Sequence, residues 1–216
     1  MTGIYDAFNK GVKHATGEYI QFLGSDDSFC ESTTIKQVAD NLSSDVDILS
    51  ANVWLVDEKT NFQQLACNSC AIEKRKFDGG MIPHPGMFVR REILLEHPFD
   101  ITYRIAADYL FFLSCYYNNK YMFKFIDLPI VFFSSCGISS TRKMQLREEN
   151  ERIWKQFNIN PENFEGSKIK RLMKAMLKKM GIFLLLKVFI NKYIRKSYVL
   201  HKCKWPLCRW CNQKES

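Results

Sequence analysis

The run DVDILSANVWLVD (45–57) constrains the fold more than any other stretch of this chain. Its apolar residues are nearly continuous instead of alternating, which is the mark of a strand buried on both faces. Such a strand needs a layer above it and a layer below it, and the flanking sequence supplies helices. Ile4, Phe8, Val12 and Ala15 recur at helical spacing, with Gly17 where a C-cap would fall. EYIQFL (18–23) reads as a short strand and the GSDDS after it as a turn. STTIKQVADNL (32–42) opens with capping residues and predicts a helix. GMFVRREILLEHPFD (86–100) predicts a short strand and then a helix stopped by Pro98. AADYLFFLSCYYNNK (106–120) predicts a helix with its aromatic face inward, KYMFKFIDLPIVFFSS (120–135) two strands broken at Pro129, and TRKMQLREENERIWKQF (141–157) a charged helix. Strands alternating with helices around a doubly buried strand imply an α/β layered fold. With 46% hydrophobic residues and 17 phenylalanines, the 216-residue chain has enough apolar surface for that core.

Charge divides the chain in two. Residues 166–216 hold 14 Lys/Arg against one acid, Glu215, while residues 1–165 hold 17 against 22 acids. An acidic globular domain (1–165) with a basic tail (166–216) is expected, which argues against a nucleic-acid-binding core and for an anionic partner of the tail. In SKIKRLMKAMLKKM (167–180) the apolar residues Ile169, Leu172, Met173, Met176, Leu177 and Met180 share one helical face, and Lys168, Arg171, Lys174, Lys178 and Lys179 the other. Such a helix either packs on the domain or lies on a membrane. The charge density, with Trp205 and Trp210 beyond it, favours an anionic lipid surface. GIFLLLKVFI (181–190) is too short to span a bilayer and carries Lys187. Residues 1–15 lack the pattern of a secretion signal, so a cytoplasmic protein attached to the inner face of the membrane is expected. The CxxC pairs Cys67/Cys70 and Cys208/Cys211 lie far apart and outside any βαβ redox context. Reduced, unligated thiols are expected, although His201 and Cys203 beside the second pair make a tail metal site conceivable.

Candidate chemistry rests on a few carboxylates. Asp26 and Asp27 follow the EYIQFL strand, and open α/β sheets bind ligands at the carboxyl ends of strands. Two adjacent hard oxygen donors suit Mg²⁺ or Mn²⁺ held jointly with substrate phosphates. Aspartates also favour turns and helix caps, so spacing alone leaves both readings open. Asp108 opens the helix of AADYLFF, where the helix dipole favours its ionised form, and there too a plain first-turn aspartate is an alternative.

The order GIYDAFNKG, GEYIQFLGSDDSF, HPGMFVRREIL, FDITYRIAADYLFFL and FFSSCGISS resembles the bacterial family 2 glycosyltransferases of GT-A fold, over residues 3 to 150. The resemblance implies a GT-A-like mixed sheet flanked by helices. It also implies transfer of a sugar from a nucleoside-diphosphate donor, expected to be a UDP-sugar, to a glycan or lipid-linked glycan acceptor, with inversion. On this resemblance Gly24-Ser25-Asp26-Asp27 matches the metal motif, with Gly24 where many relatives carry a first aspartate. Asp27 is the favoured direct ligand, with Asp26 assisting or contacting ribose. Asp108 matches the base that deprotonates the acceptor hydroxyl. His84 matches a position tied to acceptor or donor placement, and Gly137 lies in a loop that relatives hold near the active site. Asp6 and Asn9 are expected in surface or packing roles, and Lys10 near donor phosphates.

Relatives begin with a strand–helix–strand unit ahead of the GIYDA motif, which holds the nucleotide. This sequence starts at the motif, so an N-terminally truncated GT-A-like domain is expected. The contrasting reading is a non-catalytic, membrane-associated fragment that acts through contacts; it predicts no metal-dependent nucleotide binding.

Overall fold

The computed structural model describes residues 3–57, 62–66, 83–135, 137–160, 176, 189 and 198–200. Both CxxC pairs, most of the basic tail and its amphipathic helix therefore lie outside the described residues.

The strand anticipated at 45–57 is the spine of the molecule. β3 (Ile48–Val56) is buried along nearly its whole length. One edge pairs in parallel with β6 (Phe123–Ser134). The other edge pairs antiparallel with β5 (Met87–Arg90) at Ile48–Ser50 and with β4 (Phe62–Ala66) at Val53–Val56. β1 (Tyr19–Ile20) extends the sheet beyond β5, and β2 (Ser28–Phe29) pairs with β6. β7 (Tyr198–Leu200), from within the segment expected to be a separate tail, pairs with β4. The result is a mixed sheet with both faces covered, as the α/β reading expected.

The two faces are visible in the alternation of β3. Ile48 joins one apolar cluster with Tyr5, Val12, Leu94, Phe99, Tyr109 and Phe112. Leu49, Ala51 and Val53 point into a second cluster with Val38 and Ile130. The first is built by α1 (Ile4–His14), α3 (Arg91–Glu96), α4 (Ala107–Tyr117) and α6 (Lys143–Gln156); α2 (Thr34–Ala39) contributes Val38 to the second. Side chains such as Phe112 and Ile48 are fully buried, each stabilising the fold by roughly 1.5–3 kcal/mol.

Sequence expectations and structure part at three places. EYIQFL supplies only the two-residue strand β1, because Gln21 turns its amide onto the Pro85 carbonyl at 2.5 Å and the backbone leaves the ladder. The segment around Pro129 is one strand, β6, instead of two. The register slips there, so that Ile126 faces Ala51 and Pro129 faces Asn52, bulging out Asp127 and Leu128. A bulge is how a strand accommodates a residue with no N–H to donate, and Asn52 fastens this one by donating to Asp127 Oδ1 at 2.6 Å. In α1 the inward face is Tyr5, Phe8 and Val12, while Ile4 is exposed.

Helix ends follow local chemistry. α3 stops one residue before the His97-Pro98 pair, since proline disfavours helical geometry in the residue before it. Beyond α4 and α6, Asn119 and Asn158 adopt left-handed backbone (φ 53° at each), a conformation asparagine tolerates. A short helix, α5 (Ile138–Thr141), leads into α6.

Candidate active site

Asp108 is the second residue of α4, and three other elements converge on it. From α1, the Tyr5 hydroxyl lies 3.0 Å from Asp108 Oδ1 and 2.6 Å from the Ile105 carbonyl oxygen. The Tyr109 N–H donates to the same Oδ1 at 2.9 Å. From the 3₁₀ turn His84–Gly86, His84 Nδ1 lies 3.4 Å from the other oxygen, Oδ2. From α6, the buried Glu149 accepts three backbone N–H bonds, from Arg104 (3.0 Å), Ile105 (2.9 Å) and Ala106 (2.9 Å). Gln145 donates to Glu149 at 3.1 Å. Glu149 thus holds the backbone that leads directly into α4. Burial, reinforced by the neighbouring Asp108 charge, pushes the Tyr5 phenol far above its ordinary value, so it remains a protonated donor.

Asp108 and His84 border an open recess walled by Phe22, Met87, Val89, Phe99 and Phe111. Phe8 stacks on Phe22 with ring centroids 4.3 Å apart, and Phe22 meets Phe99 edge-on at 5.4 Å. The wall is anchored by Asn9, whose amide donates to the Phe99 carbonyl (2.8 Å) and accepts from the Phe99 N–H (2.9 Å). Asn9 therefore has the packing role expected of it. Lys10 pairs with Asp6 at 2.8 Å on the surface of α1.

The aspartate turn is assembled differently. Asp27 Oδ2 accepts from the Gly24 N–H at 2.9 Å and Oδ1 from the Ser134 N–H at 3.1 Å. Ser134 ends β6 and opens the SSCGISS loop, so that loop reaches Asp27 through its first residue. Gly137 lies farther along it, as the residue preceding α5, and a Cβ there would meet nothing within 4 Å. Burial raises the Asp27 carboxyl above the usual carboxylate range, against the pull of its two N–H donors; the Asp26 charge adds to the rise, and His84 acts in the opposite direction.

Both carboxylates fold over Gly24. A Cβ there would fall 2.7 Å from Asp27 Oδ2 and 2.8 Å from Asp26 Oδ1. Oxygens of two residues thus converge on one small space that only glycine leaves open. Asp27 keeps lone pairs beyond its two N–H bonds, and two carboxylates are a sufficient protein share for Mg²⁺ or Mn²⁺, which takes its other ligands from phosphate and water. The donor set fits such an ion. Among the described residues no cluster of three or more His, Cys, Asp or Glu could enclose a metal without substrate.

The family model of glycosyl transferase family 2 matches residues 2–98, which span α1, the aspartate turn, β3 and the His84 turn. A PGL/p-HBAD biosynthesis glycosyltransferase of Mycobacterium bovis (strain BCG / Pasteur 1173P2) is 29% identical over 138 residues, 62% of this chain and 52% of the relative. An uncharacterized glycosyltransferase of Methanocaldococcus jannaschii is 31% identical over 125 residues, 55% of this chain and 42% of the relative. The chain thus spans about half the length of the curated relatives it matches. Among solved structures, TarS 1-349 of S. aureus aligns with TM-score 0.47 and 17% identity, covering 84% of this chain and 59% of that one.

Asp108 and His84 thus lie side by side at the recess, and Asp26 and Asp27 meet over Gly24 in the aspartate turn. Two residues that support Asp108, Tyr5 and Glu149, were not singled out in the sequence. Tyr5 lies inside the GIYDA motif, but its phenol reads there as one more apolar helix position. Glu149 is one acid in a charged helix; its signal is that it falls on the inner face with Ile153, four residues on.

Proposed function

We propose that the chain carries the catalytic half of a metal-dependent, inverting glycosyltransferase that uses a nucleoside-diphosphate sugar, with a UDP-sugar as the leading candidate. The observation that supports this reading is the position of His84. Its Nδ1 lies 3.4 Å from Asp108 Oδ2, and the two side chains together border the recess that would admit an acceptor.

In this mechanism the acceptor hydroxyl enters the recess beside His84 and approaches Asp108 Oδ2. Asp108 Oδ1 is already committed to Tyr5 and the Tyr109 N–H, so the proton is taken at Oδ2. As that proton leaves, the hydroxyl oxygen attacks the anomeric carbon and the nucleoside diphosphate departs with its bonding pair. A single displacement inverts the anomeric configuration. Asp26 and Asp27 would hold a divalent cation, which neutralises charge on the departing diphosphate. The Phe22, Phe99 and Phe111 walls offer apolar faces to the acceptor. The acceptor is a glycan or lipid-linked glycan, in surface-glycan assembly. The basic segment 166–216 would hold the enzyme on an anionic membrane face; no helix among the described residues is long and apolar enough to cross a membrane.

Thermal unfolding with Mn²⁺, with and without UDP, tests the proposal. A UDP-dependent rise in Tm that requires both Mn²⁺ and the Asp27 carboxylate is expected. A rise that is unchanged in Asp27→Ala would remove the aspartate turn from the donor site.

A further inference from the structure

We propose that Tyr5 is a positioning partner of the Asp108 base whose single hydroxyl proton follows the protonation state of that carboxylate. This rests on the reading of Asp108 as the base. The Tyr5 oxygen has two acceptors in reach, Asp108 Oδ1 at 3.0 Å and the Ile105 carbonyl at 2.6 Å, and only one proton to give. When Asp108 is ionised, its charge is the stronger acceptor, and the Tyr5 proton sits on Oδ1. When Asp108 has taken the acceptor's proton at Oδ2, Oδ1 becomes a neutral carbonyl oxygen. The hydroxyl then rotates its proton onto Ile105, whose carbonyl is the closer of the two. No proton enters or leaves through Tyr5, and each state of the base leaves that hydroxyl a partner.

The arrangement is rigid on both sides. The Tyr5 ring is buried against Phe8 and Phe99, with centroids 5.9 and 5.5 Å away. Ile105 cannot drift, because its own N–H is one of the three held by Glu149. Rotation about the C–O bond is then the one cheap motion available to the pair. Among the described residues, Tyr5 from α1 and His84 from the 3₁₀ turn meet the Asp108 carboxylate, and Glu149 from α6 lies behind them on the backbone N–H groups of 104–106. His84 approaches Oδ2, whereas Tyr5 acts on Oδ1, so their effects are separable by mutation.

The test is a carbon-13 NMR titration of the full chain labelled at aspartate carboxyls and tyrosine Cζ, with Asp108→Asn and Tyr5→Phe assigning the two signals. In the unmodified chain the Tyr5 Cζ signal is expected to titrate with the same midpoint as the Asp108 carboxyl. In Tyr5→Phe, which keeps the ring, turnover is expected to fall about tenfold with KM little changed, because Asp108 Oδ1 loses the donor that positions it. A Tyr5 signal that ignores Asp108 in the unmodified chain overturns the inference without any mutant having to fold. So does unchanged turnover in Tyr5→Phe. The base reading has its own test: if Asp108→Asn keeps full turnover, that reading is lost, whatever the titration shows.

Discussion

Asp108 and the aspartate turn are held by contacts of very different number and reach. Asp108 is fixed from four elements: its own helix, Tyr5 of α1, His84 of the 3₁₀ turn and, through the backbone of 104–106, Glu149 of α6. The aspartate turn runs through exposed residues 23–25 to the half-buried Asp26 and Asp27, and it is held by the Asp27 carboxylate on two backbone N–H groups and by the Asp27 N–H on the Gly24 carbonyl at 3.1 Å. A base must meet the acceptor oxygen at a fixed distance, so its geometry is set before substrate arrives. A cation shared with a diphosphate has half of its ligands delivered by that substrate, and the turn can be completed on binding.

The largest effect is expected where the rigid side does chemistry. Asp108→Asn keeps an acceptor oxygen for Tyr5 but cannot take a proton. Turnover should fall by about 10²–10⁴-fold, the usual contribution of a positioned base, while the Mn²⁺- and UDP-dependent rise in Tm is retained. Retained turnover would make Asp108 a first-turn aspartate and nothing more. Next comes the support beneath it. Glu149→Ala strands the N–H groups of Arg104, Ile105 and Ala106, of which the last is fully buried. A loss of about 3 kcal/mol is expected, since each unsatisfied buried donor costs about 1–3 kcal/mol and water reaches the outer two. Urea denaturation measures it; a loss below about 1 kcal/mol would mean that the rigid side does not depend on α6.

These same regions mark what was legible in the sequence. The spine strand announced itself at Ile48–Val56 because burial on both faces leaves a continuous apolar run. α3 and α4 were legible through Pro98 and the aromatic spacing of 109–112. β1 fell short of EYIQFL, and β6 runs through Pro129, because a glutamine side chain and a two-residue bulge settled those matters in three dimensions. At the candidate site, Asp26, Asp27, Asp108 and His84 were named from motif order. Tyr5 and Glu149 did not, because a buried phenol looks apolar in a helix and a buried glutamate resembles its exposed neighbours. Long-range pairing to backbone, as Glu149 makes across more than forty residues, leaves no local pattern to read.

Gly24 probes the loose side at the point where both carboxylates meet. Gly24→Ala places a methyl 2.7 Å from Asp27 Oδ2 and 2.8 Å from Asp26 Oδ1, so at least one carboxylate must move. Gly24 is exposed and its backbone is not left-handed, so little stability should be lost. Mn²⁺-dependent nucleotide binding should weaken by about tenfold, as when the supports of metal ligands are disturbed. Equal binding by the two proteins would place the cation away from the space above Gly24.

The smallest effect is in pH. Burial, with Asp26 adding, raises Asp27 above the usual carboxylate value of about 3.9. A group raised on folding contributes stability that is fully present below its unfolded pKa and is lost as pH rises through the folded one. Without metal, Asp27 therefore opposes folding slightly at neutral pH, by an amount that Asp27→Asn should partly relieve. Cation binding needs the ionised form and must displace that proton. The Mn²⁺-dependent rise in Tm should accordingly fade as pH falls through the raised value, before ordinary surface carboxylates titrate. In Asp26→Asn the remaining Mn²⁺ response should persist to lower pH, because one of the two causes of the rise is gone. If both proteins lose the response at the same pH, the two aspartates do not share a charge environment, and the turn is looser than its contacts imply.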